Sequence, residues 1–336
     1  FHQAFINGEP EFDSATRQRV RSEIDLAATF PDEEDRFWTI ERFSQPAGSN
    51  KEVESGLYDF RQAGNSANSN SGKIDLVRFD MQKMREWVEE SNSDLKFEDE
   101  WWNGGVYVKL PEESDPNRDD GVIPAQANWA VQVHNAETIP NRRVVDTDAP
   151  RGLTLSTNGA LYVQGTYNAP GGVTFDPSQY AGAAGEEVPA ALIADAIMLL
   201  SDDWDNRKSG KTSLSNARRA TDTVYSAAMV MGNVPSNTSG AYSGGLENFP
   251  RLLEGWGSKT LYYRGSLIRL FRSESFDAAW RYGGNVYEAP TRNWRFHTGF
   301  REHSPPLDTG PRSFRRVYFQ ELTASEFSDR AAKLYP

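Results

Sequence analysis

The chain has 336 residues and a formal net charge of −12, with 48 Asp and Glu residues against 36 Lys and Arg residues. This acidic balance disfavours nucleic acids and anionic membranes as the main partners, because both attract basic surfaces. The sequence contains no cysteine, which excludes thiol catalysis, iron–sulfur clusters, cysteine-ligated zinc and disulfide bonds. Its hydrophobic and aromatic contents, 38% and 12%, predict a folded chain.

Three helices are predicted in the first 90 residues. The first begins at a cap formed by Asp13 or Ser14 and ends at Ala28. The second begins at Pro31, and the four acidic residues that follow suit a helix N-terminus. The third begins after Asp80. The apolar residues at helical spacing are Phe37, Trp38, Ile40 and Phe43 in the second helix, and Met81, Met84, Trp87 and Val88 in the third.

From about residue 104 the sequence predicts short strands. These segments are rich in β-branched and aromatic residues and are bounded by Gly, Pro and Asn. They are GVYVKL, NWAVQVH, LTLST, ALYVQGTYN, TVYSAAMVMGNV, KTLYYRG and SLIRLF. A further segment, PAALIADAIMLLS, and the YSAAMVMGNV part of TVYSAAMVMGNV have few polar residues. This pattern predicts strands that are buried on both faces or lie in a tightly packed parallel stack.

The predicted fold class is mainly β with peripheral helices. Small residues in the apolar strands suit a narrow interior, which favours a β-solenoid similar to a parallel β-helix. An irregular β-sandwich is the alternative, because no repeat period is visible. We predict three regions: a helical or irregular N-terminal region at 1–70, a β-rich core domain at 71–300, and a C-terminal extension with a short helix at 301–336.

The stretch 242–271 predicts one helix followed by two strands. The helix is expected to begin near Asn248 and to end at Gly257. Its apolar face would consist of Leu246, Phe249, Leu252, Leu253 and Trp256. Gly265 would form a bulge or corner between the two strands. A helix across a β layer covers an open edge, so we interpret this stretch as scaffold.

No combination of residues predicts a catalytic site or a bound cofactor. The sequence lacks the motifs of serine hydrolases, zinc proteases, P-loops and dinucleotide-binding folds. Its histidines, His2, His134, His297 and His303, lack a standard metal-ligand spacing, and we interpret them as surface or half-buried residues. Carboxylates are abundant, but no pair stands out as an acid and a base. We therefore predict that the protein is not an enzyme.

Two acidic loops are candidates for a structural Ca²⁺, which prefers clustered oxygen ligands. The first candidate consists of Asp115, Asn117, Asp119 and Asp120. The second consists of Asp202, Asp203, Asp205 and Asn206. The first loop lacks the distal Glu of an EF-hand, and solvated turns are the alternative interpretation of both loops.

Aromatic and arginine residues interleave near the C-terminus. The aromatic residues are Trp256, Tyr262, Tyr263, Trp280, Tyr282, Tyr287, Trp294, Phe296 and Phe300. The arginines are Arg281, Arg292 and Arg295. An exposed cluster of this composition would stack on sugars or anchor a partner protein, whereas packing in the core is the alternative.

Charge is unevenly distributed along the chain. Residues 251–316 contain 12 basic and 6 acidic residues, a local net charge of +6, so the remainder carries −18. Opposite charges on two parts of one chain favour head-to-tail pairing between copies. The alternative is an uneven solvated surface.

Four sequence blocks together resemble a known family. They are GLTLSTNGALYVQGTYN (152–168), VPAALIADAIMLLSDDWDN (188–206), YSGGLENFPRLLEGWGSKTLYYRGSLIRLF (242–271) and YEAPTRNWRFHTGF (287–300). In this order they resemble the C-terminal region of PilX-type, pilus-assembly-associated proteins of bacteria. Weaker blocks at 57–65 and 104–110 extend the resemblance to about residues 56–320.

The resemblance implies an exported, envelope-associated protein with a large extracytoplasmic domain, and it implies no catalytic residue. Family members usually begin with a pilin-like apolar helix, which this chain lacks. No segment reaches the ~20 apolar residues of a membrane span, and the longest apolar run, 189–200, contains Asp195. Because the chain begins at Phe1 without Met, we expect a processed or trimmed protein, from which the apolar helix was removed or in which it lies upstream of Phe1.

We therefore predict an extracellular or cell-surface structural or adhesive protein. It would be a subunit or accessory of a pilus-like or filamentous assembly, and its partners would be copies of itself or pilin-like proteins. The alternative is a polysaccharide-binding or polysaccharide-acting β-solenoid that has surface glycans as ligands. A further alternative is a transient partner of a secretion pseudopilin.

Overall fold

The computed structural model of the protein describes residues 5–6, 11–12, 19–20, 32–46, 51–62, 72–89, 104–110, 128–141, 152–171, 187–234, 244–274, 276, 278, 280, 286–301, 303–306, 323–326 and 328. Within these residues the fold is mainly β with few helices, as predicted. The strands in chain order are β1 (Phe5–Ile6), β2 (Glu11–Phe12), β3 (Arg19–Val20), β4 (Trp38–Glu41), β5 (Leu57–Tyr58), β6 (Lys73–Asp80), β7 (Gly105–Val108), β8 (Asn128–His134), β9 (Leu153–Thr157), β10 (Ala160–Gln164), β11 (Ala190–Ala194), β12 (Ala196–Leu200), β13 (Thr223–Asn233), β14 (Arg251–Leu252), β15 (Thr260–Arg272) and β16 (Thr291–Arg295).

Most of these strands belong to two open sheets. The first sheet has the order β1-β7-β9-β11-β13-β15-β16, and the second has the order β14-β12-β10-β8-β6-β4, with β5 also paired to β6. From β6 to β15, consecutive strands alternate between the two sheets. Neighbouring strands of this series run parallel in both sheets. Each sheet therefore grows by one strand every time the chain returns to it.

The main hydrophobic core takes residues from both sheets. On β10, Leu161 and Val163 belong to this core, whereas Ala160 and Tyr162 belong to a second apolar cluster. Because side chains alternate along a strand, β10 is buried on both faces. The predicted burial of 189–200 is confirmed: every residue of β11 and β12 is buried except the half-buried Ile193.

The side chain of Asn168 links three segments that are distant in the chain. Its side-chain amide donates hydrogen bonds to the carbonyl oxygens of Val188, at 2.8 Å, and Ser226, at 3.0 Å. Its side-chain oxygen accepts from the backbone N–H of Val188 at 3.1 Å. The residue is fully buried and has a left-handed φ of 51°, a conformation that Asn tolerates better than most residues.

The helix expected after Asp80 is confirmed as α1 (Met81–Glu89). The Asp80 carboxylate accepts hydrogen bonds from the backbone N–H groups of Gln82 and Lys83, both at 3.1 Å, which caps the first turn. The predicted apolar face is buried, and it consists of Met81, Met84, Trp87 and Val88.

The two helices expected before residue 45 are wrong wherever the structure describes them. Within the first, Arg19–Val20 is strand β3, which pairs with β2. In place of the second, a 3-10 turn at Glu33–Asp35 is followed by β4, which pairs antiparallel with β6. Phe37, which directly precedes β4, is buried in the main core, and Trp38 and Phe43 pack against that core. Ile40 of β4 is exposed. Pairing with β6 therefore outweighed the local helical spacing.

The helix expected from Asn248 to Gly257 is also wrong. A 3-10 helix ends at Asn248, and Arg251–Leu252 forms β14, which pairs in parallel with Met198–Leu199 of β12. The predicted apolar residues Phe249, Leu252, Leu253 and Trp256 are nevertheless buried. The hydrophobic pattern thus identified core residues but not their backbone conformation.

Gly265 is not a corner, because β15 runs through it without a break. A Cβ atom at Gly265 would lie 1.8 Å from the carbonyl oxygen of Ala227 on β13. The glycine is required by this close approach of two backbones. The irregularity lies further along, where Met231 pairs with Arg269 and Gly232 pairs with Phe271, leaving Leu270 as the extra residue.

The division into three regions stays a prediction. Strands β4 and β5 of the first predicted region pair with β6 of the second. None of the helices in the described part of the chain has the length and apolar character that crossing a bilayer requires.

Candidate functional site

A polar cleft lies on the second sheet and includes the ends of β8 and β10. Two adjoining cavities, of about 520 and 420 Å³, share Gln164 at the end of β10. Their polar lining includes His134, Glu137, Thr166 and Asp202 in the first cavity, and Glu41, Arg78, Asp205 and Arg207 in the second. Both volumes lie within the range of about 300–1,000 Å³ that is typical of small-molecule sites.

The floor of the cleft is a network of one buried amide, Gln132, and two half-buried amides, Gln164 and Asn206. The Gln132 side chain, which is fully buried, donates to Gln164 Oε1 at 3.1 Å and to Asn206 Oδ1 at 3.0 Å. Asn206 donates back to Gln132 Oε1 at 2.8 Å, and the Trp204 indole N–H donates to Asn206 Oδ1 at 2.7 Å. These contacts hold each amide in one orientation, so the floor is organised before any ligand arrives.

The walls of the cleft are held by charged groups. Arg78 donates to Glu41 at 2.7 Å, which links β6 to β4. Asp202 accepts from the Thr166 backbone N–H at 2.6 Å and from its hydroxyl at 3.1 Å. A carboxylate has about four acceptor positions, so such groups remain able to accept hydrogen bonds from a ligand.

The described residues that line the two cavities make the cleft acidic. They include five carboxylates, Glu41, Glu54, Glu137, Asp202 and Asp205, against the two guanidinium groups of Arg78 and Arg207. Burial and the nearby Arg78 lower the pKa of His134, which keeps this imidazole neutral at pH 7. A cleft with this balance repels polyanions and suits neutral ligands that donate hydrogen bonds.

Two edges of the sheets carry opposite charge. At one edge, the exposed Asp32, Glu33, Glu34 and Asp35 lead into β4, the terminal strand of the second sheet; we call these four residues the acidic edge. At the other, Arg269 and Arg272 of β15 and Arg292 and Arg295 of β16 are exposed; we call these four the basic edge.

The basic edge also exposes apolar side chains. β16 pairs only with residues 260–264 of β15. Beyond them, Ile268 is 39% exposed, Leu270 is 69% exposed and Phe271 is 40% exposed. Among the described residues, no strand pairs with this part of β15 on the side away from β13. An exposed apolar strand edge is a surface on which another chain can add.

The structure separates the two Ca²⁺ candidates. Asp115, Asn117, Asp119 and Asp120 lie outside the described residues, so this site stays a prediction. In the second loop, Asp202 binds Thr166, Asp205 binds Arg207 at 3.0 Å, and the Asn206 side-chain oxygen accepts from Gln132 and Trp204. The described part of the chain contains no group of three or more His, Asp or Glu residues able to hold a metal.

The aromatic residues near the C-terminus range from buried to exposed. Trp256 and Tyr287 are fully buried, and Tyr263 is buried against Trp294, with ring centroids 5.9 Å apart. The half-buried members are Tyr262, Trp280, Trp294 and Phe300, and Phe296 is 52% exposed. Core packing therefore accounts for part of this group, and a binding role for the exposed part stays a prediction.

The described histidines have different environments. His134 is half-buried in the cleft, and His303 is exposed. His297 is buried, with its Nε2 3.4 Å from a Glu187 oxygen and its ring stacked on Phe300 at 4.2 Å. The interpretation as surface or half-buried residues is therefore confirmed for His134 and His303 and wrong for His297, whereas His2 lies outside the described residues.

The amides of the cleft floor were not predicted from the sequence. The available signal was a Gln inside two apolar strands, NWAVQVH and ALYVQG. A buried polar side chain needs a partner, so each Gln predicted a contact, but the identity of that partner depends on the strand register. Gln132 lies opposite Arg78 on one side and Tyr162 on the other.

Comparison of the chain with protein families, characterised proteins and solved structures found no match. The resemblance to PilX-type proteins therefore stays a prediction that rests on the sequence blocks alone.

Proposed function

We propose that the protein is an extracellular structural protein built as a parallel β-solenoid. The proposal is supported by the alternation of consecutive strands between two parallel sheets, because a chain that winds in coils produces this order. Asn168 adds support, since its side chain links its own segment to those of Val188 and Ser226, as contacts between successive coils would. The predicted extracellular or cell-surface location rests on the absence of cysteine and on the family resemblance.

The solenoid assembles end to end with copies of itself. The single observation that carries this part of the proposal is the opposite charge of the acidic edge and the basic edge, which terminate different ends of the strand series. Contact between two different edges is heterologous, so it produces an open filament unless the rotation closes a ring. The exposed Ile268, Leu270 and Phe271 supply apolar area at the contact. Pilin-like proteins with an acidic strand edge are the other partners we propose.

Sedimentation velocity tests this proposal through charge reversal. Glu34→Lys with Asp35→Lys reverses half of the acidic edge, and Arg269→Glu with Arg272→Glu reverses half of the basic edge. Each pair alone should shift the chain toward monomer at low salt, and all four changes together should restore association. Raising the salt concentration should weaken the wild-type assembly, because exposed charges are screened.

The control is Lys208→Glu with Arg219→Glu, which changes the net charge as the basic-edge variant does but at exposed positions elsewhere. It should leave association unchanged. A wild-type chain that stays monomeric at high concentration and low salt would contradict end-to-end assembly.

A further inference from the structure

The cleft of the second sheet is longer than a site for one small molecule requires. Glu41 lies on β4, Arg78 on β6, His134 on β8 and Gln164 on β10, and Asp202 follows β12. These are five neighbouring strands of one sheet. Neighbouring strands lie about 4.8 Å apart, so the polar groups extend over roughly 19 Å.

The chemistry of the lining selects among classes of polymer. Five carboxylates against two arginines disfavour nucleic acids and acidic polysaccharides. Extended peptides commonly bind by adding a strand to a sheet edge, but the cleft lies over strands whose backbones are already paired on both sides, β6, β8 and β10. The ligand must therefore be recognised by side chains.

The available side chains suit hydroxyl groups. Each carboxylate accepts a hydrogen bond from a hydroxyl, and an amide such as Gln164 both donates and accepts. The arginine on the wall, Arg78, donates only. A sugar hydroxyl is both a donor and an acceptor, so all three kinds of side chain can bind it.

We propose that this cleft binds a segment of a neutral polysaccharide, lying across the strands from Asp202, which follows β12, to Glu41 on β4. The proposal goes beyond the structural role, because none of the described residues that line the cleft belongs to the acidic edge or the basic edge. A filament with one such cleft in each copy would bind a long glycan at many points, and the summed affinity would exceed that of a single cleft.

Isothermal titration calorimetry with neutral oligosaccharides of increasing length tests the proposal. The probes are cello-, xylo-, manno- and laminari-oligosaccharides, and the acidic comparison is oligogalacturonate. We expect at least one neutral series to bind, with affinity that rises with chain length until the cleft is filled. Oligogalacturonate should bind at least tenfold more weakly.

Two variants locate the binding. Gln164→Ala removes the amide shared by both cavities and should lower the affinity at least tenfold. Glu137→Gln changes an exposed carboxylate of the first cavity without loss of shape, so it should weaken binding by about threefold to tenfold while the thermal midpoint stays constant. Gln82→Ala, at an exposed position on α1, is the matched control and should leave the affinity within twofold.

Three results would overturn the proposal: no binding of any neutral series, tighter binding of oligogalacturonate, or affinity unchanged in both Gln164→Ala and Glu137→Gln. The charge-reversed edge variants should bind the oligosaccharides as the wild type does. Sedimentation velocity therefore detects a failure of assembly, and calorimetry independently detects a failure of glycan binding.

Discussion

Strands β13 and β15 lie side by side in the first sheet, but their environments differ. β13 is buried at ten of its eleven positions, whereas β15 is exposed from Ile268 to Arg272. Part of the difference lies in their neighbours, because β13 also pairs with β11, whereas β15 pairs with β16 only over 260–264. The sequences differ too, since β15 carries three arginines and β13 carries no charged residue. One strand therefore contributes to the core and its neighbour contributes to a surface.

The largest expected effect is at the contact between the two strands. Gly265→Val places a branched side chain where even a Cβ would lie 1.8 Å from the Ala227 carbonyl oxygen. The backbones must separate, so we expect a loss of more than about 4 kcal/mol in the free energy of unfolding. Urea denaturation measures it. Ser266→Val, at the half-buried next position, should change stability by less than about 1 kcal/mol. Equal stability of the two variants would contradict the close approach.

Asn168→Ala should have the next largest effect. It removes the three hydrogen bonds that the buried side chain makes with backbone groups of Val188 and Ser226. We expect a loss of about 3 kcal/mol in the free energy of unfolding. Asn168→Gly loses the same bonds but tolerates the left-handed φ, so comparison of the two variants by urea denaturation isolates the backbone strain. If both variants kept wild-type stability, the hydrogen bonds of Asn168 would not stabilise the fold.

Glu254 should make stability depend on pH. Burial raises the pKa of this carboxyl to about 7, although hydrogen bonds from Ser201 and the charge of Arg218 oppose the shift. Between about pH 4.5 and 7 the unfolded chain ionises at this group while the native protein holds the proton. The free energy of unfolding therefore falls as pH rises through this window, by about 3 kcal/mol in total.

Glu254→Gln removes this titration and supplies its control. The wild type should lose stability relative to the variant as pH rises from 4.5 to 7, which chemical denaturation at several pH values measures. Parallel stability curves for the two proteins would show that Glu254 does not take up a proton on folding.

The smallest effect is expected at the exposed part of β15. Leu270 is 69% exposed, so Leu270→Ala should change the free energy of unfolding by less than about 0.5 kcal/mol. The fully buried Met229 of β13 provides the contrast, because Met229→Ala should cost about 2–5 kcal/mol. If Leu270→Ala weakens self-association while stability stays constant, the exposed part of β15 acts as an interface. A large loss of stability would place Leu270 in the core.

Sequence patterns predicted the strands after residue 104 and helix α1 because their signals are local. Asp80 caps the helix through its own backbone neighbours, and the apolar run at 189–200 is buried whatever its partners are. The segment 248–256 was misassigned as a helix because Leu252, Leu253 and Trp256 are buried at a spacing that suits a helix as well as an irregular chain. The choice between them was made by the pairing of Arg251–Leu252 with β12.

The cleft was less predictable than the fold. Three amides meet at the cleft floor, those of Gln132, Gln164 and Asn206. The first and the last are separated by 74 residues in the chain, and only the parallel register brings the three together. Local signals made the acidic loop at 202–206 a candidate metal site instead, because the loop contains the ligand types but does not reveal the partners that occupy them.

By itself, the sequence determined the mainly β character, the burial of the apolar strands and the excess of acidic residues, since these depend on composition and on short-range periodicity. The tertiary structure alone decided the alternation of strands between two sheets, the exposure of β15 beyond β16 and the meeting of three amides at one cleft. These features depend on which distant strands pair and in what register, and the free energy of that pairing comes from contacts that no local segment contains.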